Sequence, residues 1–349
     1  MGHPVLPRIS SLCVCIALWF AAFAMSSLAG VWQPDLGAAE SRPPVKIVAT
    51  IGMIADVARE VGGEHVRVTA LMGEGVDPHL YKASPGDVRA MSDSDVVLYN
   101  GLHLEGRMAD VIVKMAGRRT VAQVTDEIDE KLLREPPEFL GQYDPHIWFD
   151  VSLWANVVVR IRDVLREKDP ANAEAYTVAA SAYTQVLSDL HEYAKTTLAT
   201  IPQDHRIMVT AHDAFGYFGR AYGLDVKAIQ GISTDSEASL KDINSLVDLL
   251  VSRKVPAVFI ESSVPRKTID ALVEGCKGRG HTIVIGGELF SDAMGKDGTL
   301  DGTYVGMVLH NVDTITRALG GKVPEKKPGA LGDYVARHAA KPAISPGSR

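Results

Sequence analysis

The tripeptide Asp-Pro-His occurs twice in the chain, at residues 77–79 and 144–146. Both copies are predicted to lie in loops, the first of them just after a predicted strand. Proline fixes its own φ and favours an extended aspartate before it, so the histidine that follows is presented rigidly. The aspartate is also near enough to accept a hydrogen bond from the imidazole. A single loop histidine is more often a surface residue than a ligand, but the repetition favours two metal ligands.

Two further candidates follow predicted strands in the second half of the chain. His212 comes after a predicted strand at 207–210, and Asp292 comes after one at 282–285. Ligands of α/β proteins bind beyond the carboxyl ends of the strands, which is where both side chains are expected. Three imidazoles and one carboxylate are borderline-to-hard donors, which suit Zn²⁺ or Mn²⁺ better than Cu(I). The candidate metal ligands are therefore His79, His146, His212 and Asp292.

These residues need a scaffold, and the pattern of the chain predicts an α/β fold. Strand and helix signals alternate over residues 45–165 and again over 204–321, which predicts two α/β lobes with parallel sheets. Between them, residues 171–199 carry apolar side chains at helical spacing, which predicts one long linker helix of about 40 Å. Two ligands from each lobe would place a metal in the cleft. The tail at 322–349 is rich in proline and lysine and is expected to be flexible.

Several stretches, in the same order along the chain, resemble the TroA/PsaA/ZnuA type of metal-specific solute-binding proteins of bacterial ABC importers. The resemblance covers nearly everything from about Lys46 to Gly321. It implies a rigid linking helix, the ligand role for the four candidates above, and capture of Mn²⁺ or Zn²⁺ between the lobes. It also implies delivery of the ion to a membrane permease and its ATPase. The matching stretches are GVDPHLY at 75–81, NGLHLE at 100–105, DPHIW at 144–148, TAHDAF at 210–215, ISTDSE at 232–237 and LFSD at 289–292.

The choice between the two metals rests on a few features. Zinc-dedicated members of the family often carry a His-rich acidic loop before the second histidine, whereas residues 125–143 hold acids but no histidine. Many manganese members have a glutamate where this chain has His212. Equilibrium affinity favours Zn²⁺ over Mn²⁺ at almost any site of this kind. The missing His-rich loop and the carboxylate ligand lean the prediction slightly toward manganese, with zinc left open.

The first 32 residues are predicted to be a leader rather than part of the fold. Arg8 precedes an almost wholly apolar run from Ser11 to Trp32, which is typical of a signal peptide or an N-terminal anchor. Cleavage is favoured because small residues at 27–29 resemble a cleavage site and no cluster of charges follows. We therefore expect the protein in the periplasm or another extracytoplasmic compartment, either free or membrane-anchored.

Charge and cysteine content restrict the partners. The formal net charge of −7 argues against nucleic acid, which usually binds a basic face. A monomer is expected. Past the leader Cys276 is the only cysteine, so it cannot form an internal disulfide, and its helical context predicts a small core residue.

An exported zinc-dependent hydrolase is the main alternative to a non-enzymatic binding protein. Catalytic zinc usually keeps three protein ligands and an open position for water, whereas four ligands fill a tetrahedron. Glu261 and Glu288 keep this alternative open as candidate bases. Glu261 is equally expected to accept from a ligand or to cap a helix, and His103 is expected to be structural. An adhesion protein is a third interpretation, which no repeat in the sequence supports.

Overall fold

The computed structural model describes residues 1–2, 42–139, 141–235 and 238–339. Almost all of the predicted leader therefore lies outside the described residues. In the part of the chain that is described, no helix is both long and apolar enough to span a membrane. Residues 43–339 of the described chain belong to one compact unit, which contains two α/β lobes and the helix that joins them.

The N-terminal lobe is a four-stranded parallel sheet flanked by helices. The strands are short and rich in valine, and the two central ones are almost wholly buried, as expected for a sheet covered on both faces, whereas the two edge strands are only partly buried. Their order across the sheet is β2-β1-β3-β4. Ser84 caps the second helix together with Asp87, as its sequence predicts. The strands are β1 Val45–Ala49, β2 Val66–Ala70, β3 Val96–Tyr99 and β4 Thr120–Gln123, and the helices are α1 Gly52–Gly62, α2 Pro85–Asp93, α3 Ala109–Ala116 and α4 Val151–Lys168.

A single helix, α5 at Ala173–Leu198, joins the two lobes. It contains no glycine or proline, and one side of it carries buried apolar and aromatic residues such as Tyr183 and Leu190. It packs against α1 and α4 of the N-terminal lobe and against helices that follow the second lobe's strands. A helix held along its length by both lobes resists bending, since any bend would disrupt packed side chains on both sides.

The C-terminal lobe contains two parallel strand pairs that lie side by side. Its own apolar core forms between these strands and two covering helices, and it includes the buried Cys276, which confirms that residue's predicted core position. The paired strands are β5 Ile207–His212 with β6 Asp225–Gln230, and β7 Ala257–Glu261 with β8 Val284–Leu289. The helices are α6 Gly216–Tyr222, α7 Leu240–Arg253, α8 Lys267–Gly278 and α9 Tyr304–Ala318.

Two strand ends differ from the sequence-based expectation. His212 is the last residue of β5, whereas the predicted strand ended at residue 210. Strand β8 runs to Leu289, so the pair Gly286-Gly287 lies inside it instead of ending it. The register shifts beside Phe259, where β7 pairs with this glycine-containing part of β8, and a β-bulge is a usual place for glycine in a strand. Asp292 still lies just beyond a strand end.

The expectation of a flexible tail over residues 322–349 needs correction. Residues Gly329–Ala339 form a helix, α10, that packs on α5. Leu331 and Tyr334 are buried at this contact, and the Tyr334 hydroxyl donates to Glu60 at 3.2 Å. The segment as a whole is rich in proline and lysine, so its composition predicted flexibility although a short stretch within it has apolar residues at helical spacing. Residues 340–349 lie outside the described part of the chain.

Candidate metal centre

The four predicted ligands come together in one buried cluster between the lobes. One ligand atom from each lies within 4.8 Å of the others. The Nε2 atoms of His79 and His146 are 3.2 Å apart. The carboxylate oxygens of Asp292 lie 3.3 Å from the Nε2 atoms of His146 and His212 and 3.6 Å from that of His79. The N-terminal lobe contributes two of these residues and the C-terminal lobe the other two.

Several polar atoms at the centre of this cluster lack a hydrogen-bond partner. Among the described residues, both carboxylate oxygens of Asp292 and the Nε2 atom of His212 are fully buried and unpaired. Buried polar atoms are nearly always hydrogen-bonded, so such a group requires an explanation. Ligand atoms about 2.0–2.1 Å from a tetrahedral zinc ion lie roughly 3.4 Å from one another. The observed spacings are close to that value, so a bound cation would satisfy all of these atoms at once.

His146 is oriented by the aspartate of its own tripeptide. Asp144 Oδ1 accepts a hydrogen bond from the backbone N–H of His146 at 3.0 Å and lies 2.8 Å from its Nδ1. The other carboxylate oxygen pairs with the Arg134 guanidinium. Burial lowers the pKa of His146, but the hydrogen bond to Asp144 and the contact with Asp292 raise it to about 9. The Nε2 atom therefore points toward the centre of the cluster, where its lone pair could coordinate a metal ion.

Glu261 does the same for His212. One carboxylate oxygen accepts from the backbone N–H of His212 at 2.9 Å, and the other lies 2.5 Å from its Nδ1. Although burial lowers the pKa of His212, the charges of Glu261 and Asp292 raise it well above its usual value. Glu261 is the last residue of β7, and its carboxylate holds the His212 ring instead of capping a helix. The sequence had left these two roles equally open.

His79 is held differently. Asp77 Oδ1 accepts from the backbone N–H of His79 at 2.9 Å, and in the described part of the chain no hydrogen bond engages its Nδ1. Burial and the neighbouring imidazoles lower its pKa to about 3, despite the opposing effect of Asp292. This ring is therefore neutral at any physiological pH and ready to coordinate. It lacks the carboxylate that fixes each of the other two rings.

Asp292 is held by the segment that carries it. The neighbouring Ser291 accepts a hydrogen bond on its carbonyl from the indole N–H of Trp148 at 3.1 Å. Burial raises the pKa of the Asp292 carboxyl, but the charges of His212 and His146 lower it well below its usual range. The carboxylate is thus ionised and presents negative charge to the centre.

Some residues around the site were not predicted from the sequence. Trp148 was quoted there as part of a motif and given no role, although its position two residues after His146 was a signal. Thr234 likewise lies in the quoted stretch at 232–237 and was given no role, whereas Arg134 carried no signal in the sequence. His103 is exposed and outside the cluster, in a loop where it and Leu102 have φ values of 66° and 52°.

Comparison with known proteins identifies the family of the chain. A model of the family described as "ZnuA: Zinc-uptake complex component A periplasmic" matches residues 47–318. The chain belongs to this family. Its membership confirms the predicted resemblance, and it assigns the chain to a family of transport components rather than of enzymes.

Individual relatives of the chain match over most of their own length. The manganese-binding lipoprotein MntA of Bacillus subtilis (strain 168) is 46% identical over 304 residues, covering 87% of this chain and 97% of the relative. The zinc-binding protein TroA of Treponema pallidum (strain Nichols) is 49% identical over 284 residues, covering 81% and 90%. The solved structure of periplasmic TroA from Treponema pallidum superposes with a TM-score of 0.77 at 47% identity, covering 79% of this chain and 99% of that one. The metal ABC transporter substrate-binding lipoprotein FimA of Streptococcus parasanguinis is 31% identical, covering 79% and 89%.

Proposed function

We propose that this protein captures one Mn²⁺ or Zn²⁺ ion between its lobes and delivers it to an ABC-type metal importer. The observation that carries the proposal is the buried convergence of His79, His146, His212 and Asp292, with ligand atoms that lack partners within the described protein. Three imidazoles and one carboxylate suit these two ions. Relatives named for binding manganese and for binding zinc support the same pair of cargoes.

Manganese remains our slight preference within this pair. The stretch at 125–143 carries no histidine, and a carboxylate completes the site. The two relatives named for different metals are about equally similar to this chain, at 46% and 49% identity, so similarity alone favours neither ion. Intrinsic affinity favours zinc at a site of this kind, and only a direct measurement separates the two.

The decisive experiment is a competition titration of the protein without its leader, using Mn²⁺ and Zn²⁺, with bound metal counted by mass spectrometry. One ion per chain, with manganese bound at submicromolar affinity or better, supports a manganese receptor. Tight zinc with weak manganese would make the protein a zinc receptor. If neither ion binds, the proposal fails.

Closure of the lobes around the ion is expected to be small. Helix α5 packs along both lobes, and a wide hinge motion would have to break that packing. Small-angle scattering with and without metal measures this directly. A large compaction on metal addition would contradict the proposal that the linker is rigid.

The importer's permease and ATPase are the partners that we propose, supported by the relative named as a metal ABC transporter substrate-binding lipoprotein. We also propose that residues 1–32 direct export, with cleavage favoured over retention as an anchor, and that the mature protein is a monomer. N-terminal sequencing of the exported protein and its mass in solution test both points.

A hydrolase finds no support at this site. Both oxygens of Glu261 are engaged by His212, so this residue is not free to act as a base. Glu288, the other candidate base, is exposed and lies outside the cluster.

A further inference from the structure

Among the hydrogen bonds that join the lobes, two link segments that carry candidate ligands on opposite sides of the site, one buried and one near the surface. In the buried one, the indole N–H of Trp148 donates to the carbonyl of Ser291, and both residues are fully buried. The Tyr304 hydroxyl also donates to the Trp148 carbonyl at 2.7 Å. This inner tie links the segment that carries His146 to the one that carries Asp292. It has no access to water, so it is expected to persist.

The outer tie joins the first tripeptide to the opposite lobe. The hydroxyl of Thr234 donates to Asp77 Oδ2 at 2.6 Å, and both side chains are half-buried. Thr234 lies after β6, in a loop where Gly231 accepts a hydrogen bond on its carbonyl from the backbone N–H of Asp213. Asp213 directly follows His212. The outer tie therefore connects the segment of His79 to the segment of His212 across the mouth of the site.

We propose that Thr234 is a positioning residue that latches the lobes over the bound ion and sets how long the ion stays. This inference rests on the proposed metal-binding function. The Asp77 carboxylate accepts from the His79 backbone with one oxygen and from Thr234 with the other. Loss of the Thr234 hydroxyl thus frees the loop that carries the one imidazole without an orienting carboxylate. The lobes then separate at the outer edge while the Trp148 tie holds the inner edge.

A second outer contact, the ion pair of Arg107 with Asp235, is the weaker of the two. Both side chains are substantially exposed, and exposed ion pairs contribute little. The hydrogen bond from Thr234 to Asp77 is less exposed to water, so solvent weakens it less than it weakens the ion pair. The latch therefore depends on Thr234, and Arg107→Ala is expected to change metal release only slightly.

The test is the rate of metal release into excess chelator, measured by stopped flow on the full mature protein loaded with Mn²⁺ or Zn²⁺. Thr234→Val, which keeps the shape and removes the hydroxyl, is expected to release metal about tenfold faster. The association rate and the stoichiometry are expected to stay unchanged. Thr234→Ser restores the hydroxyl and is expected to restore slow release. A merely structural role would leave the release rate near that of the parent protein.

Thr196→Val is the matched control, because it makes the same chemical change on the exposed side of α5. Release from Thr234→Val within about twofold of the parent would overturn the latch. An equal acceleration in the control, or a failure of Thr234→Ser to restore slow release, would overturn it as well. A parent protein that binds no metal would instead refute the proposed function itself, and the latch with it.

Discussion

The two Asp-Pro-His tripeptides have the same sequence, but their aspartates bind different partners. In both, the aspartate accepts a hydrogen bond from the backbone N–H of the histidine two residues later, at 2.9 Å in 77–79 and 3.0 Å in 144–146. Asp144 also engages the ring of its own histidine. Asp77 uses its other oxygen to bind Thr234 of the opposite lobe. The local turn is thus shared, while the second partner of the carboxylate differs.

Burial explains the difference between the tripeptides. Asp144 is fully buried beside Arg134, and the Tyr217 hydroxyl donates to its backbone carbonyl at 3.0 Å. A buried carboxylate must be paired on both oxygens, so it takes the guanidinium and the imidazole together. Asp77 follows exposed residues and remains half-buried. The same motif thus raises the pKa of an imidazole in one place and joins the two lobes in another.

The strongest test of the comparison removes each histidine. His79→Ala and His146→Ala are both expected to weaken metal binding by at least about a hundredfold, because each deletes a direct ligand. His191→Ala is the control, since that ring contacts Tyr222 away from the site. Calorimetric or competition titration measures the affinities. Equal losses in all three variants would refute the assignment of ligands.

Substitution of the two aspartates is expected to have the next largest effect and to reduce metal affinity by different amounts. Asp144→Asn removes the charge that supports the His146 ring, and we expect metal affinity to fall by about tenfold to a hundredfold. Asp77 does not contact the His79 ring, so Asp77→Asn is expected to reduce metal affinity less than Asp144→Asn does. Its effect is expected to appear mainly as faster metal release. Comparable losses of equilibrium affinity in the two variants would remove the distinction.

The pH dependence of binding is expected to follow the second tripeptide. His146 has a pKa raised to about 9, so below that pH it holds a proton that the metal must expel. Affinity is therefore expected to rise with pH by at least about tenfold per unit between pH 6 and 8. His79, with a pKa lowered to about 3, is already neutral and adds no slope. Competition titrations at several pH values, with proton release measured, test this.

The matched variants sharpen this measurement. Asp144→Asn removes the main cause of the raised pKa at His146 and is expected to reduce the slope, while His212, whose pKa is also raised, keeps its own contribution. Asp77→Asn is expected to keep it. A slope that flattens with Asp77→Asn but survives Asp144→Asn would reverse the roles that we assign to the two aspartates.

The smallest expected effect concerns stability. Tyr217 accepts from the Arg134 backbone N–H and donates to the Asp144 carbonyl, so its hydroxyl ties the second tripeptide's loop to α6. Tyr217→Phe is expected to lower the free energy of unfolding by about 1 kcal/mol, since the ring stays buried and only these bonds are lost. Denaturant unfolding measures it.

The α/β class, the family and the four residues that the structure brings together could all be predicted from the amino-acid sequence alone. Valine-rich strand runs alternate with helical patterns, and this alternation is a local property that a reading of the chain can detect. The repeated tripeptide and the two strand-end residues were visible for the same reason. A long stretch without glycine or proline likewise predicted a helix where the structure has α5.

The side chains that surround the four candidate ligands could not be predicted from the sequence, because they are set by tertiary contacts. Glu261 meets His212 across 49 residues of sequence, and Thr234 meets Asp77 across 157. The tertiary structure also showed that Gly329–Ala339 forms a packed helix where composition predicted a flexible tail. Hydrogen bonds and buried contacts of this kind depend on which side chains the fold places within a few ångströms of each other. Secondary-structure propensity and local residue spacing do not predict the distances between residues far apart in the chain.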